Sequence, residues 1–307
     1  MNPTEEMLKI LNETFPDLTA VSPLEARALA DARIREPSNL SDVARVEDSE
    51  INQSLRVRQY IPHVIDPDIP VTVYAHGGGF LHGSIASHDG FCRRWSRGTG
   101  SRVVSVGYRL APDVRGPAPV DDFLTACEWA QSISPDAGLI VAGDSAGANL
   151  AAVAALEYGG APSSPVRGQV LLYPFLDPTM RSESYVANAE GYFVSAKLLA
   201  YYWNCYLGDG VDRDSVGPRI NPALAASHAG LPPAIVITAG LDPLRDEGKS
   251  YANTLSESGV SVIWRHYPDQ FHGFATIPDY APGESARSLL WEDFAMVFCG
   301  GGSDGQS

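Results

Sequence analysis

No stretch of this chain approaches the roughly 20 consecutive apolar residues that a membrane-crossing helix needs. Basic residues are scarce: 22 Lys and Arg stand against 37 Asp and Glu, a formal net charge of −15. That balance argues against nucleic acid or an anionic membrane as partner, since both would be repelled. Part of the charge simply serves solubility. Cysteines are few, and Cys92, Cys127, Cys205 and Cys299 lie far apart with no C-x-x-C spacing. Neither a metal site nor a disulfide framework is indicated, and the thiols read as those of a cytoplasmic protein. The first residues, Met1-Asn2-Pro3-Thr4-Glu5-Glu6, lack the basic-then-apolar layout of a secretion signal. There is no internal repeat.

What is present is alternation. Within 307 residues, apolar runs that read as strands cover 54–61, 71–75, 102–107, 139–142, 169–173, 234–239 and 260–267. Helical patterns fall around 85–98, 118–133, 145–158, 243–258 and 284–298. Strands alternating with helices indicate βαβ units and a mainly parallel sheet. The first 40 residues are helical in pattern: Leu8, Leu11 and Phe15 share one helical face, and Ser22 with Glu25 forms a capping signature ahead of a second helix. Between about Met180 and Leu231 no core strand is expected, yet Tyr185, Tyr192, Phe193, Tyr201, Tyr202, Trp203 and Tyr206 cluster there. An insertion of that length is not a plain loop, and it reads as a helical lid with the N-terminal segment as companion.

The most informative stretch is Gly143-Asp144-Ser145-Ala146-Gly147. An apolar strand precedes it and a helix-forming run follows, the setting in which G-x-S-x-G is a nucleophile elbow. Small neighbours allow the serine a strained backbone, and the helix N-terminus favours developing negative charge. Ser145 is therefore the nucleophile candidate. Two loops at the C-terminal ends of later strands, where open α/β sheets place their sites, hold Asp242 and His272. The order Ser, Asp, His suits an α/β hydrolase, with His272 as base and Asp242 as its orienter. Asp246 and Glu247 fall inside the following helix, where charge near its N-terminus is their expected job. The run His76-Gly77-Gly78-Gly79-Phe80 follows the strand 71–75 and presents bare backbone N–H groups for an oxyanion, with Ala146 adding another. His82, beside that run, reads as a solvated loop histidine, with contact to a leaving group as the alternative. Phe80, Asp144, Tyr192, Phe193 and Trp203 are the candidate substrate contacts.

With these pieces in place the chain resembles the hormone-sensitive-lipase-like bacterial carboxylesterases of the α/β-hydrolase class. The resemblance rests on His76–Phe80, Gly83-Ser84, Tyr108-Arg109-Leu110-Ala111-Pro112, Val120-Asp121-Asp122, Gly143–Gly147, Leu231-Pro232-Pro233, Asp242–Gly248 and His272-Gly273-Phe274. It implies Gly78, Gly79 and Ala146 as oxyanion donors, with Gly77 shaping the loop. It further implies a two-part cap, short acyl esters as small-molecule substrates, no cofactor, and a homodimer through the sheet edge. The expected division is an N-terminal cap segment 1–45, a catalytic body 46–180 and 217–299, a cap insertion 181–216 and a flexible tail 300–307. Asp113, where the family has glutamate, and Arg115-Gly116-Pro117-Ala118-Pro119 depart from the pattern. Lactone or amide hydrolysis would use the same residues. A non-catalytic ligand receptor is the reading from another class, and the receptors resembling this family have lost the histidine that stands here as His272.

Overall fold

Apolar runs too short for helices pair side by side, and the helical runs between them cover the resulting faces. The computed structural model describes residues 5–11, 16–52, 54–159, 161 and 163–299. Eight strands form one sheet: β1 (Arg45–Ile51), β2 (Leu55–Ile61), β3 (Val71–Ala75), β4 (Val103–Gly107), β5 (Leu139–Asp144), β6 (Val166–Leu172), β7 (Ala234–Leu241) and β8 (Val262–Phe271). Their order is β1-β2-β4-β3-β5-β6-β7-β8. β1 and β2 run antiparallel, and the strands from β4 across to β8 are parallel. β1 is missing from the sequence reading because Arg-Val-Glu-Asp-Ser-Glu-Ile is an edge strand with only its last residue buried. Without an apolar face it carries no period to detect.

Each interior strand feeds two cores, since successive side chains point to opposite faces. Val73, Val141 and Val236 pack on one face with α4 (Ala118–Ile133), α5 (Ala146–Tyr158) and α8 (Arg245–Glu257). Tyr74, Ile140 and Ile235 pack on the other with α3 (Asp89–Thr99) and α9 (Ala281–Phe294). Beyond α9, Phe298 lies over Gly168 near the start of β6.

The N-terminal segment carries α1 (Glu5–Leu11) and α2 (Pro23–Asp31). The Ser22–Glu25 capping box forms as expected. The apolar face of α1 differs from the sequence reading: Met7 is buried with Ile10 and Leu11 beside it, whereas Leu8 is 41% exposed. Phe15 and residues 300–307 lie outside the described residues. The insertion between β6 and β7 holds α6 (Ser184–Ala187) and α7 (Ala196–Leu207). α7 meets the N-terminal segment through the Tyr201 hydroxyl, which donates to the Val21 carbonyl at 3.1 Å, and through Lys197 with Asp17 at 3.2 Å.

Glu247 does more than charge the start of α8. It is buried, and accepts from the Leu176 amide at 2.6 Å and the Tyr185 hydroxyl at 2.9 Å, tying the insertion to the body. Burial pushes its carboxyl well above the usual 4.5, and the donors only partly offset this. The folded state then holds the proton where an unfolded glutamate has released it. That contribution to stability is full below 4.5 and lost as pH rises toward the folded value. Urea unfolding from about pH 5 to about pH 8 should show the wild type losing ground to Glu247→Gln as pH rises. A difference that stays constant with pH would mean that Glu247 does not change protonation.

Candidate active site

Ser145 sits at the junction of β5 and α5 with φ +54° and ψ −119°, a conformation that side chains rarely adopt. Its neighbours hold it there. The Ser145 amide donates to the Leu172 carbonyl at 2.9 Å, and its own carbonyl accepts from the Phe175 amide at 3.1 Å. The two flanking glycines are a matter of contact. A Cβ on Gly147 would stand 2.0 Å from the Ala75 carbonyl oxygen, and one on Gly143 would stand 2.3 Å from the Gly147 carbonyl carbon.

His272 and Asp242 each lie one residue beyond a strand end, on β8 and β7. The His272 Nε2 is 3.0 Å from the Ser145 Oγ, and its Nδ1 is 2.8 Å from an Asp242 carboxylate oxygen. Asp242 is fully buried, and its other oxygen accepts from the Leu244 amide at 2.9 Å. A carboxylate facing Nδ1 holds the proton there, which leaves Nε2 as an acceptor toward the serine. The Tyr173 ring packs edge-on against the imidazole at 4.9 Å. Asn188 in the insertion, which sequence reasoning missed, donates to the carbonyls of Gly240 and Asp242, both at 3.1 Å. A lone asparagine far along the chain gives no signal of such a role.

On the opposite side of the serine lies the glycine loop. Among the described residues the amides of Gly78, Gly79 and Ala146 have no protein acceptor, and Gly78 and Gly79 line the cavity that reaches Ser145. Gly77 is held instead: its amide donates to the Asp144 carboxylate at 2.8 Å, beside the Tyr74 hydroxyl at 2.7 Å. His88 approaches the same carboxylate at 3.2 Å. Burial alone would raise the Asp144 carboxyl, but His88 and the donated hydrogen bonds outweigh it and hold it below the usual range. His76 stacks on Tyr108 at 4.3 Å, and burial, with His88 nearby, lowers it to about 3. It is therefore neutral at ordinary pH.

The cavity holds about 860 Å³. Phe193 lines it, as do Val194, Leu198, Leu199 and Tyr202 of the insertion, and Leu18 of the N-terminal segment. Three of the expected substrate contacts are placed differently. Phe80 is fully buried and stacks on Tyr206 at 3.9 Å. Trp203 is fully buried against Phe175 at 4.3 Å. Tyr192 packs on the core of the opposite sheet face and is absent from the cavity wall. Asp144 reaches the cavity, but its carboxylate is committed to Tyr74, Gly77 and His88. His82 is not a solvated loop residue either. It is half-buried with its Nε2 2.7 Å from the Tyr202 hydroxyl, and burial, then His88 and Arg27, lowers it to about 4.

A family described as alpha/beta hydrolase fold matches residues 72–276. The chain belongs to that family. The α/β hydrolase is 33% identical over 299 residues to the carboxylesterase NlhH of Mycobacterium tuberculosis, covering 93% of this chain and 94% of NlhH. It is 38% identical over 229 residues to the carboxylic ester hydrolase LipN of the same organism, covering 71% of this chain and 60% of LipN. Among solved structures, a hyperthermophilic esterase from Pyrobaculum calidifontis superposes with a TM-score of 0.86 at 34% identity, over 96% of this chain and 99% of that one. Such likeness over most of the chain places this hydrolase in the hormone-sensitive-lipase-like group.

If Asp144 holds the glycine loop, Asp144→Ala should lower kcat by about 10²-fold toward a simple ester, the size of losing one oxyanion donor. KM should change much less. A KM effect larger than the kcat effect would place Asp144 among the binding residues instead.

Proposed function

We propose that this α/β hydrolase is a serine carboxylesterase that cleaves short-chain acyl esters through an acyl-enzyme. The observation that carries the reading is His272, which reaches Ser145 at 3.0 Å on one side and Asp242 at 2.8 Å on the other. Loop amides with no protein acceptor among the described residues border the same cavity.

In this reading the Ser145 Oγ attacks the ester carbonyl while His272 Nε2 takes its proton. Asp242 keeps the imidazole in the right tautomer and stabilises its charged form. The amides of Gly78, Gly79 and Ala146 receive the oxyanion at the N-terminus of α5, each worth about 10²–10³ in rate. His272 then passes the proton to the departing alkoxide, and water repeats the sequence on the acyl-enzyme. Residues 1–45 and 181–216 act together as the cap over the substrate. The relatives named as carboxylesterases support the reaction class, and the presence of His272 favours an enzyme over a receptor. A cytoplasmic setting fits the four unpaired cysteines, and the net charge of −15 disfavours nucleic acid as partner. A second copy would pair along the β8 edge, where Trp264 is 38% exposed.

Turnover of p-nitrophenyl butyrate tests this reading. Ser145→Ala and His272→Ala should each cost on the order of 10⁶ in kcat, since a triad acts as a unit. Asp242→Asn should cost about 10⁴. A fluorophosphonate should label Ser145 and leave the Ser145→Ala variant unlabelled. A tenth of wild-type activity surviving in either alanine variant would remove that residue from the role given.

A further inference from the structure

The wall beside the glycine loop contains a polar pair that the proposed reaction does not use. His82 and Tyr202 both line the cavity that reaches Ser145 and His272. The His82 Nε2 lies 2.7 Å from the Tyr202 hydroxyl, with the rings edge to face at 5.4 Å. Both residues pack against the glycines whose amides the proposed reaction uses. The His82 amide donates to the Gly78 carbonyl at 3.0 Å, and a Cβ on Gly78 would stand 3.0 Å from the His82 Nδ1. A Cβ on Gly79 would stand 2.2 Å from the Tyr202 ring. Gly79 has φ +61°, so this position excludes a side chain on both counts.

The hydrogen bond also bears on which nitrogen of His82 carries the proton. Among the described residues the Tyr202 hydroxyl reaches no other acceptor. Burial pushes Tyr202 above its ordinary value of 10.0, so the phenol keeps its proton. The same burial keeps His82 neutral above about 4. With the phenol as donor to Nε2, the arrangement that leaves fewest polar atoms unpaired among the described residues, the neutral ring bears its hydrogen on Nδ1. No protein acceptor takes up that Nδ1–H among the described residues. A directed donor is thus left beside Gly78, in a cavity whose lining includes the apolar Leu18, Val194, Leu198 and Leu199 as well as polar groups such as Ser87 and His88.

We infer that the Tyr202-oriented Nδ1–H of His82 is a specificity determinant that recognises an ether, hydroxyl or carbonyl oxygen carried by the substrate close to its scissile ester. The favoured substrates are oxygen-substituted small esters rather than plain alkyl esters of equal size. A single well-placed donor sorts isosteres this way because an apolar group in its place leaves the donor unpaired. Both residues act on substrate choice and neither takes part in proton transfer to or from Ser145. The inference rests on the esterase reading.

The test uses matched pairs that differ by one CH₂-to-O exchange. On the acyl side these are p-nitrophenyl methoxyacetate and p-nitrophenyl butyrate; on the alcohol side they are 2-methoxyethyl acetate and butyl acetate. The quantity read is the ratio of kcat/KM within each pair, compared between variants, so intrinsic reactivity cancels. His82→Leu should lower the ratio about 10-fold in one pair, as expected for loss of one hydrogen bond, and the pair affected assigns the side. His82→Asn, whose side-chain amide offers a donor near the lost Nδ1, should restore most of it. Tyr202→Phe keeps the ring on Gly79 and removes only the hydroxyl, and it should lower the same ratio even where His82→Leu fails to fold. Equal losses on both members of each pair, with both ratios unchanged, would make the two residues merely structural and overturn the inference. If the wild type turned over none of the four esters, the esterase reading itself would fall and this inference with it.

Discussion

Backbone comes close against backbone where the first turn of α5 meets the end of β3. Gly147 has no side chain because the Ala75 carbonyl occupies that space. This one contact sets two loops side by side: the elbow that lifts Ser145, and the glycine run that leaves β3 at Ala75. Asp144 then fixes their spacing from beneath, since the residue preceding the serine holds the Gly77 amide. The attacking atom and the amides that would receive the oxyanion are thereby referenced to each other through backbone and one buried carboxylate. Flexible side chains play little part in that geometry. Electrostatic stabilisation of this kind depends on donors that do not reorganise during the reaction.

The parts of the site made from local pattern were legible beforehand. Strand, glycines, serine and helix follow one another without interruption around Ser145. Asp242 and His272 announced themselves by standing just past two apolar runs. Their convergence at 2.8 Å and 3.0 Å follows from the parallel neighbours β7 and β8 ending on the same edge of the sheet as β5. What resisted reading was any decision about which way a side chain turns inside an apolar helix. In α7, Leu198, Leu199 and Tyr202 face the cavity while Trp203 and Tyr206 face the core. All five are large and apolar or aromatic, so hydrophobicity alone cannot sort them. Phe80 misled for a related reason: it follows the glycines that border the cavity, but its positive φ turns the ring into the stack with Tyr206. In the short α1 the sequence pattern puts Leu8 inward, whereas Met7 takes the buried place. Seven residues are too few to fix the phase of a helix from its sequence.

Polar side chains that work at long range were the other blind spot. Asn188, Glu247 and the His82–Tyr202 pair each join the insertion to the body across more than 50 positions of sequence. None belongs to a periodic pattern. Together they show that the insertion is bolted to the acid loop, to the first turn of α8 and to the glycine loop. Changes in its packing are thus felt at the elements that hold the reactive groups. The departures Asp113 and Arg115 take part in this periphery too: Asp113 pairs with Arg27 of α2, and Arg115 contacts the end of α7.

The placement of Phe298 over Gly168, near the start of β6, has a practical side. All the reactive groups gather where the parallel strands finish, and the described chain leaves by the edge where they begin. The other end contributes wall residues such as Lys9, Ile10 and Leu18 directly to the cavity. An immobilised form anchored after Cys299 would present its entrance to the bulk solution, whereas attachment ahead of Glu5 would crowd the mouth through which reactants must pass.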